Sequence, residues 1–155
     1  MRSIEVTEET RASTGTIWAL WCDVEGSPRW DTDVQWSRLG GPFEIGTRGA
    51  FRLKGGPRVS FLLTEVRPGA GYENAVRLLP GLRVTFTHAV EPRRPSGCRV
   101  RHGARFEGPL APVAAAILGP RLRSALGAAL MKLVALAEER EARPGGEPSE
   151  AAYAL

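Results

Sequence analysis

Hydrophobic positions change their period twice along this 155-residue chain, and the changes mark out its elements. Residues 4–11 (IEVTEETR) hold β-branched residues without a clean apolar face and run into Ser13, Thr14 and Gly15, which reads as an opening strand and turn. In TIWALWCDVE, apolar Ile17, Trp18, Leu20, Trp21 and Val24 recur at helical spacing behind a Ser or Thr cap. A short helix ending near Gly26 follows from that pattern. Ser27 is then expected to cap a second brief helix with Pro28 in its first turn, where proline's missing amide proton costs nothing.

From residue 34 to 107 the pattern becomes short alternating segments split by Gly and Pro: VQWSRL, GTRGAFRLK, RVSFLLTEV, YENAVRLL, LRVTFTHAVE and CRVRHGARFE. With the opening strand these make seven. Their connections GGPFEIG, KGGPR, RPGAG, LPG and PRRPSG are too short for crossover helices, so sequential strands pair as antiparallel hairpins. Residues 110–143 return to helical spacing, with Leu122, Leu126, Ala129, Leu130, Leu133, Leu136 and Ala137 on one face, predicting a long amphipathic helix. Gly119 and Pro120 lie inside it and predict a kink or break, because proline removes a backbone hydrogen bond. The polar residues 144–155 are expected to form a disordered tail, leaving one α+β domain over 1–143.

Composition narrows the class further. The chain is 43% hydrophobic, enough for one core and too short for a second domain. Its N-terminus is acidic where a signal peptide needs an apolar stretch, and no apolar run elsewhere is expected to approach the ~18 residues of a membrane span. A cytoplasmic protein without a membrane span is the expectation. The net charge of +4 raises the question of nucleic acid. It comes almost wholly from arginine, with Lys54 and Lys132 the only lysines, which fits a GC-rich bacterial coding bias. No exposed aromatic series interleaves with the arginines to stack bases, so a nucleic-acid partner is not expected. Cys22 and Cys98 alone supply neither a disulfide framework nor a four-ligand zinc site.

TIWALWCDVEGSPRW, LGGPFEIGTRG, LPGLRVTFTHAVEP and FEGPLAPVAAAILGP, in this order, resemble the Bet v 1-like or START-like superfamily, in particular its bacterial polyketide cyclase/dehydrase branch. The resemblance reaches from the first strand to about residue 143. It implies a helix-grip fold, a seven-stranded curved antiparallel sheet around the long C-terminal helix, with a cavity between them for a small hydrophobic ligand. The superfamily includes carriers, sensors, lipid-transfer domains and cyclases, so fold alone leaves the activity open.

Alternation places Val84, Phe86, His88 and Val90 on the inner face of one strand, and Cys98, Val100, His102, Ala104 and Phe106 on that of the next. If residue 90 pairs with 100, His88 and His102 stand directly opposite. These are the only histidines, and a pair in an apolar pocket reads either as an acid/base couple or as hydrogen-bonded cavity wall. Trp30, Trp36, Phe51, Phe61, Tyr72, Phe86 and Phe106, with Ile117 and Leu126 of the last helix, complete the candidate ligand-binding set. Asp31 and Asp33, at the end of the helical corner, read either as capping and solvated residues or as carboxylates near a cavity mouth that could orient a substrate or act as a base. The glycine-rich turns do not feed a helix as phosphate cradles do, and no cofactor or metal is called for. On the outer face, Arg99, Arg101 and Arg105, reinforced by Arg83, Arg93 and Arg94 and opposed by few acids, form a stripe that reads either as a solvated strand face or, as the resemblance implies, as a surface for an acidic carrier protein. Nothing in the pattern fixes oligomeric state.

Overall fold

The computed structural model describes residues 2–143; the expected tail at 144–155 lies outside the described residues. Strand β1 (Arg2–Thr10) leads into helix α1 (Thr14–Cys22), whose start is fixed by the Ser13 side chain accepting a hydrogen bond from the Thr16 amide. The second brief helix is a 3-10 turn, Val24–Arg29, directly after α1. Its cap is Asp23 rather than Ser27, because the Asp23 carboxylate reaches the Gly26 amide and Ser27 already lies inside the turn.

Six strands follow: β2 (Val34–Leu39), β3 (Arg48–Leu53), β4 (Arg58–Arg67), β5 (Gly71–Leu79), β6 (Leu82–Pro92) and β7 (Cys98–Glu107). All neighbours are antiparallel, and the spatial order β1-β7-β6-β5-β4-β3-β2 makes a meander with β1 closing the far edge. Register shifts interrupt the β2–β3, β4–β5 and β5–β6 ladders. Such bulges bend and twist a sheet, and here they accompany a curved sheet that leaves its concave face to the last helix.

That helix, α2 (Ala111–Ala142), runs unbroken through Gly119 and Pro120, contrary to the expected break. Both of its ends are held. At the first turn Ala111 and Ala114 pack with Leu82, Val84, Ala104 and Phe106, while Leu130, Leu133 and Ala137 join Ile17, Leu20 and Trp21 near the other end. Thr10 donates to Glu138 (2.9 Å) and the Ser13 amide to Glu141 (2.8 Å), fastening the C-terminal turns to the β1–α1 corner. Packing at both ends overrides a local defect worth one hydrogen bond. By length and composition α2 also contains a stretch apolar enough to cross a bilayer, contrary to the expectation, which overlooked it because Arg121 and Arg123 interrupt the run.

Candidate functional site: a cavity between the sheet and the last helix

Between the two packed ends of α2 the helix stands off the sheet and encloses a cavity of about 560 Å3. This is within the range of small-molecule sites, roughly 300–1,000 Å3. One face of α2 supplies Leu118, Leu122, Ala125, Leu126 and Ala129, at the i, i+3, i+4 spacing that keeps side chains on one stripe. The sheet supplies the opposite wall, with Phe51, Phe61, Leu63, Val76, Phe86 and Phe106 among its residues.

Most candidate ligand contacts converge here: Trp30, Phe51, Phe61, Tyr72, Phe86, His88, His102, Phe106 and Leu126 all line the cavity. Two do not. Trp36 lies outside because β2 carries a bulge at Gln35; Val34 pairs with Leu53, but Trp36 pairs with Arg52 and Ser37 with Phe51. Directly paired residues share a face, so the bulge gives the cavity Val34 and Ser37 and turns Trp36 outward, where the Arg38 guanidinium sits 4.6 Å from its ring centre. Ile117 is 71% exposed on the outer side of α2.

The β6–β7 register is the one that faces the histidines toward each other: Val90 pairs with Val100 and His88 with His102, their ring centres 4.9 Å apart. One nitrogen of each ring is engaged. The Trp21 indole N–H donates to His102 Nε2 at 3.1 Å, which requires a lone pair there and puts the proton of the neutral ring on Nδ1. His88 Nδ1 lies 3.4 Å from the Tyr72 carbonyl oxygen and donates to it, while its ring stacks flat on the Tyr72 ring at 3.9 Å. Burial lowers both pKa values, that of His102 to about 3 and that of His88 well below the usual range, His88 being pushed down further by His102. Both rings are therefore neutral at physiological pH.

The cavity also has polar lining residues. Asp31 and Asp33 line it together with Lys54, whose amide donates to the Asp33 carbonyl (2.9 Å) and so ties the two turns together. Burial first, then the Asp33 charge, pushes the Asp31 carboxyl up to about 6, against a weaker opposing hydrogen bond from the Asp33 backbone. Burial likewise raises the Tyr72 hydroxyl, helped by the Cys22 and Asp31 charges, so this phenol stays protonated. Trp21 and Phe43 also belong to the wall; Trp21 was legible only as a core residue of α1, and Phe43 was concealed in the Gly-rich turn GGPFEIG. The Trp30 indole nitrogen is buried without a hydrogen-bond partner among the described residues.

The outer arginine stripe is better neutralised than its sequence indicated. Arg99 pairs with Glu9 (3.0 Å) and Glu91 (3.5 Å), Arg93 with Glu9 (3.1 Å), and Arg105 with Glu73 and Glu107. Glu9 and Glu91 come from β1 and β6, which flank β7, Glu73 from β5 one strand further on, and Glu107 from β7 itself; the reach of Glu9 and Glu73 to β7 depends on the sheet order and not on sequence proximity. Of the three, Arg101 makes no ion pair among the described residues, and Thr7 on β1 and Ala89 on β6 stand opposite it. The two thiols are raised by burial to about 11 each, and among the described residues no three of His, Cys, Asp and Glu converge as a metal site requires.

Known structures share this architecture. Norcoclaurine synthase from Thalictrum flavum, in complex with dopamine and hydroxybenzaldehyde, superposes with a TM-score of 0.70 at 16% identity, over 92% of this chain and 89% of its own. The di-domain ARO/CYC BexL of the BE-7585A biosynthetic pathway gives 0.69 at 18% identity, over 93% of this chain and 48% of its own. A protein from Mesorhizobium loti gives 0.69 at 15% identity, over 89% and 98% respectively. At these identities the likeness concerns fold alone. No curated protein matches in sequence. The family model described as polyketide cyclase / dehydrase and lipid transport matches residues 1–138, and the chain belongs to that family.

Proposed function

We propose that the protein binds a small hydrophobic or aromatic molecule, polyketide- or lipid-like, in the cavity between the sheet and α2. The carrying observation is the cavity itself, a mostly apolar chamber of about 560 Å3 whose polar lining includes Asp31, Asp33 and Lys54 together with Asn74 and Arg121. An apolar body is accommodated along Phe51, Phe61, Phe86 and Leu126, and a hydroxyl, carbonyl or amine is met at the polar residues. His88 and His102 are wall residues in this reading, since one nitrogen of each serves Trp21 or the Tyr72 backbone and burial keeps both rings neutral.

One observation supports a second reading, a cyclase or dehydrase working in the same cavity. Asp31 has an acidity suited to proton transfer near neutral pH, which neither histidine has. Asp31 would take a proton from a substrate carbon or hydroxyl while the walls hold the chain in a reactive conformer. The two readings separate in one experiment. The protein is incubated with a panel of hydrophobic and aromatic polyketide-like compounds, bound species are read by native mass spectrometry, and released species by chromatography. Return of a bound compound unaltered is the expected result for a carrier. A product that is cyclised or lighter by water, lost in Asp31→Asn with binding retained, establishes the enzyme. If nothing in the panel binds, ligand binding is refuted for this class of molecule.

A further inference from the structure

The cavity mouth is greasier than a water-facing rim needs to be. Leu53, Leu78 and Leu118 line the cavity and are also 39%, 46% and 40% exposed, so they form its rim. The apolar surface continues outward from there. The Leu110 amide donates to the Gly81 carbonyl (3.2 Å), bringing the β5–β6 turn, with exposed Leu79, to the start of α2. Val113 (59% exposed) and Ile117 (71%) follow one helical turn apart on α2. A core helix buries its most apolar stretch, but in α2 only 22% of an 18-residue apolar window is buried. Soluble monomers rarely expose contiguous apolar area of this kind without a use for it.

Charge decides what covers it. The three segments that make the collar, 45–64, 74–90 and 108–137, contain no Asp or Glu and nine Arg and Lys. The acids at the cavity, Asp31 and Asp33, come from a different segment, the turn before β2. A second copy seated on the collar would set basic surface against basic surface, because a two-fold interface pairs like with like. Protein partners favour aromatic anchors with hydrogen-bonding tips, whereas the collar is aliphatic. Aliphatic side chains ringed by cations are the pattern of a surface that sits in the headgroup region of an anionic bilayer.

We propose that this collar docks the protein on an anionic lipid surface with the cavity mouth toward the bilayer. Docking itself is independent of the cavity's contents. Its consequence, that an apolar ligand passes between bilayer and cavity without crossing water, rests on the ligand-binding reading above.

The test is co-sedimentation with vesicles of equal phosphatidylcholine and phosphatidylglycerol, and with phosphatidylcholine alone. The protein is expected to bind the mixed vesicles at least tenfold more tightly, and to be released by high salt. Val113→Ser with Ile117→Ser, two exposed positions outside the cavity, should weaken binding about tenfold and leave the melting temperature and compound binding in solution unchanged. Should that variant misfold, Arg52→Glu with Arg77→Glu must weaken binding by about 25-fold or more, since each basic residue near such a surface is worth about fivefold. The proposal is overturned if the wild type ignores the mixed vesicles, or if a folded variant binds them as the wild type does. It is equally overturned if light scattering shows the wild type to be a dimer that the Val113 and Ile117 substitutions dissociate, for then a second copy covers the collar.

Discussion

A carboxyl group placed against an aromatic and aliphatic wall is unfavourable for folding, and Asp31 carries that cost in measurable form. Its pKa is about 6 in the folded protein against 3.8 for the free side chain, so the folded state holds the proton more tightly than the unfolded chain. Stability from this residue therefore falls as pH rises from about 4 to 6 and stays low above that, by roughly 2–3 kcal/mol. Asp31→Asn removes the ionisation and keeps the shape. It should raise the melting temperature at pH 7, and the advantage should vanish at pH 4. Thermal unfolding at the two pH values measures it; an advantage of the same size at both would mean that Asp31 is solvated. A carboxylate retained at such a cost beside Tyr72 is what a site for a polar ligand group requires. In the sequence Asp31 was indistinguishable from a capping residue, because linear context carries no information on which turn a fold desolvates.

Among the elements, the strands were legible and their exceptions instructive. Segments such as VQWSRL and CRVRHGARFE coincide with β2 and β7, since alternation and flanking glycines or prolines encode a pleated strand directly. The facing of His88 and His102 was legible only conditionally, since the length of the β6–β7 turn left the register open, and the observed register is the one that pairs them directly. Trp36 was misplaced because alternation assumes an unbroken pleat, and a single extra residue at Gln35 inverts everything after it. Ile117 was misplaced because helical spacing says which residues share a face but not which face meets the sheet. The expected break at Gly119 and Pro120 failed differently, through tertiary packing outweighing propensity. Its residual cost remains testable. A Cβ added to Gly119 would meet no atom within 4 Å, so Gly119→Ala should add about 0.5–1 kcal/mol to stability from helix propensity alone, read as a higher denaturant midpoint with an unchanged slope. A lower midpoint would show that α2 needs the glycine's freedom where it leans over the cavity.

At the scale of the molecule, two neutral histidines inside an apolar shell make folding and proton binding compete. His102 titrates near 3 when folded and His88 well below its usual range, whereas both take up protons near 6.5 once unfolded. Their folded pKa values are depressed, so the stability they confer is fully present above pH 6.5 and is lost as pH falls below it. Asp31 acts with the opposite sign between about 4 and 6 and cancels about one proton of that dependence. The histidine contribution is isolated by His102→Gln, whose side-chain oxygen still accepts the Trp21 indole hydrogen bond. Between pH 4 and 6 the unfolding free energy of this variant should change less steeply with pH than that of the wild type. The difference is one proton, about 1.4 kcal/mol per pH unit, and denaturant titrations at three pH values resolve it. Equal slopes would mean that His102 is protonated in the folded protein, which the Trp21 donor and the apolar wall together forbid. The stretch of wall at the two histidines therefore stays uncharged at physiological pH, which suits the apolar body of the proposed ligand.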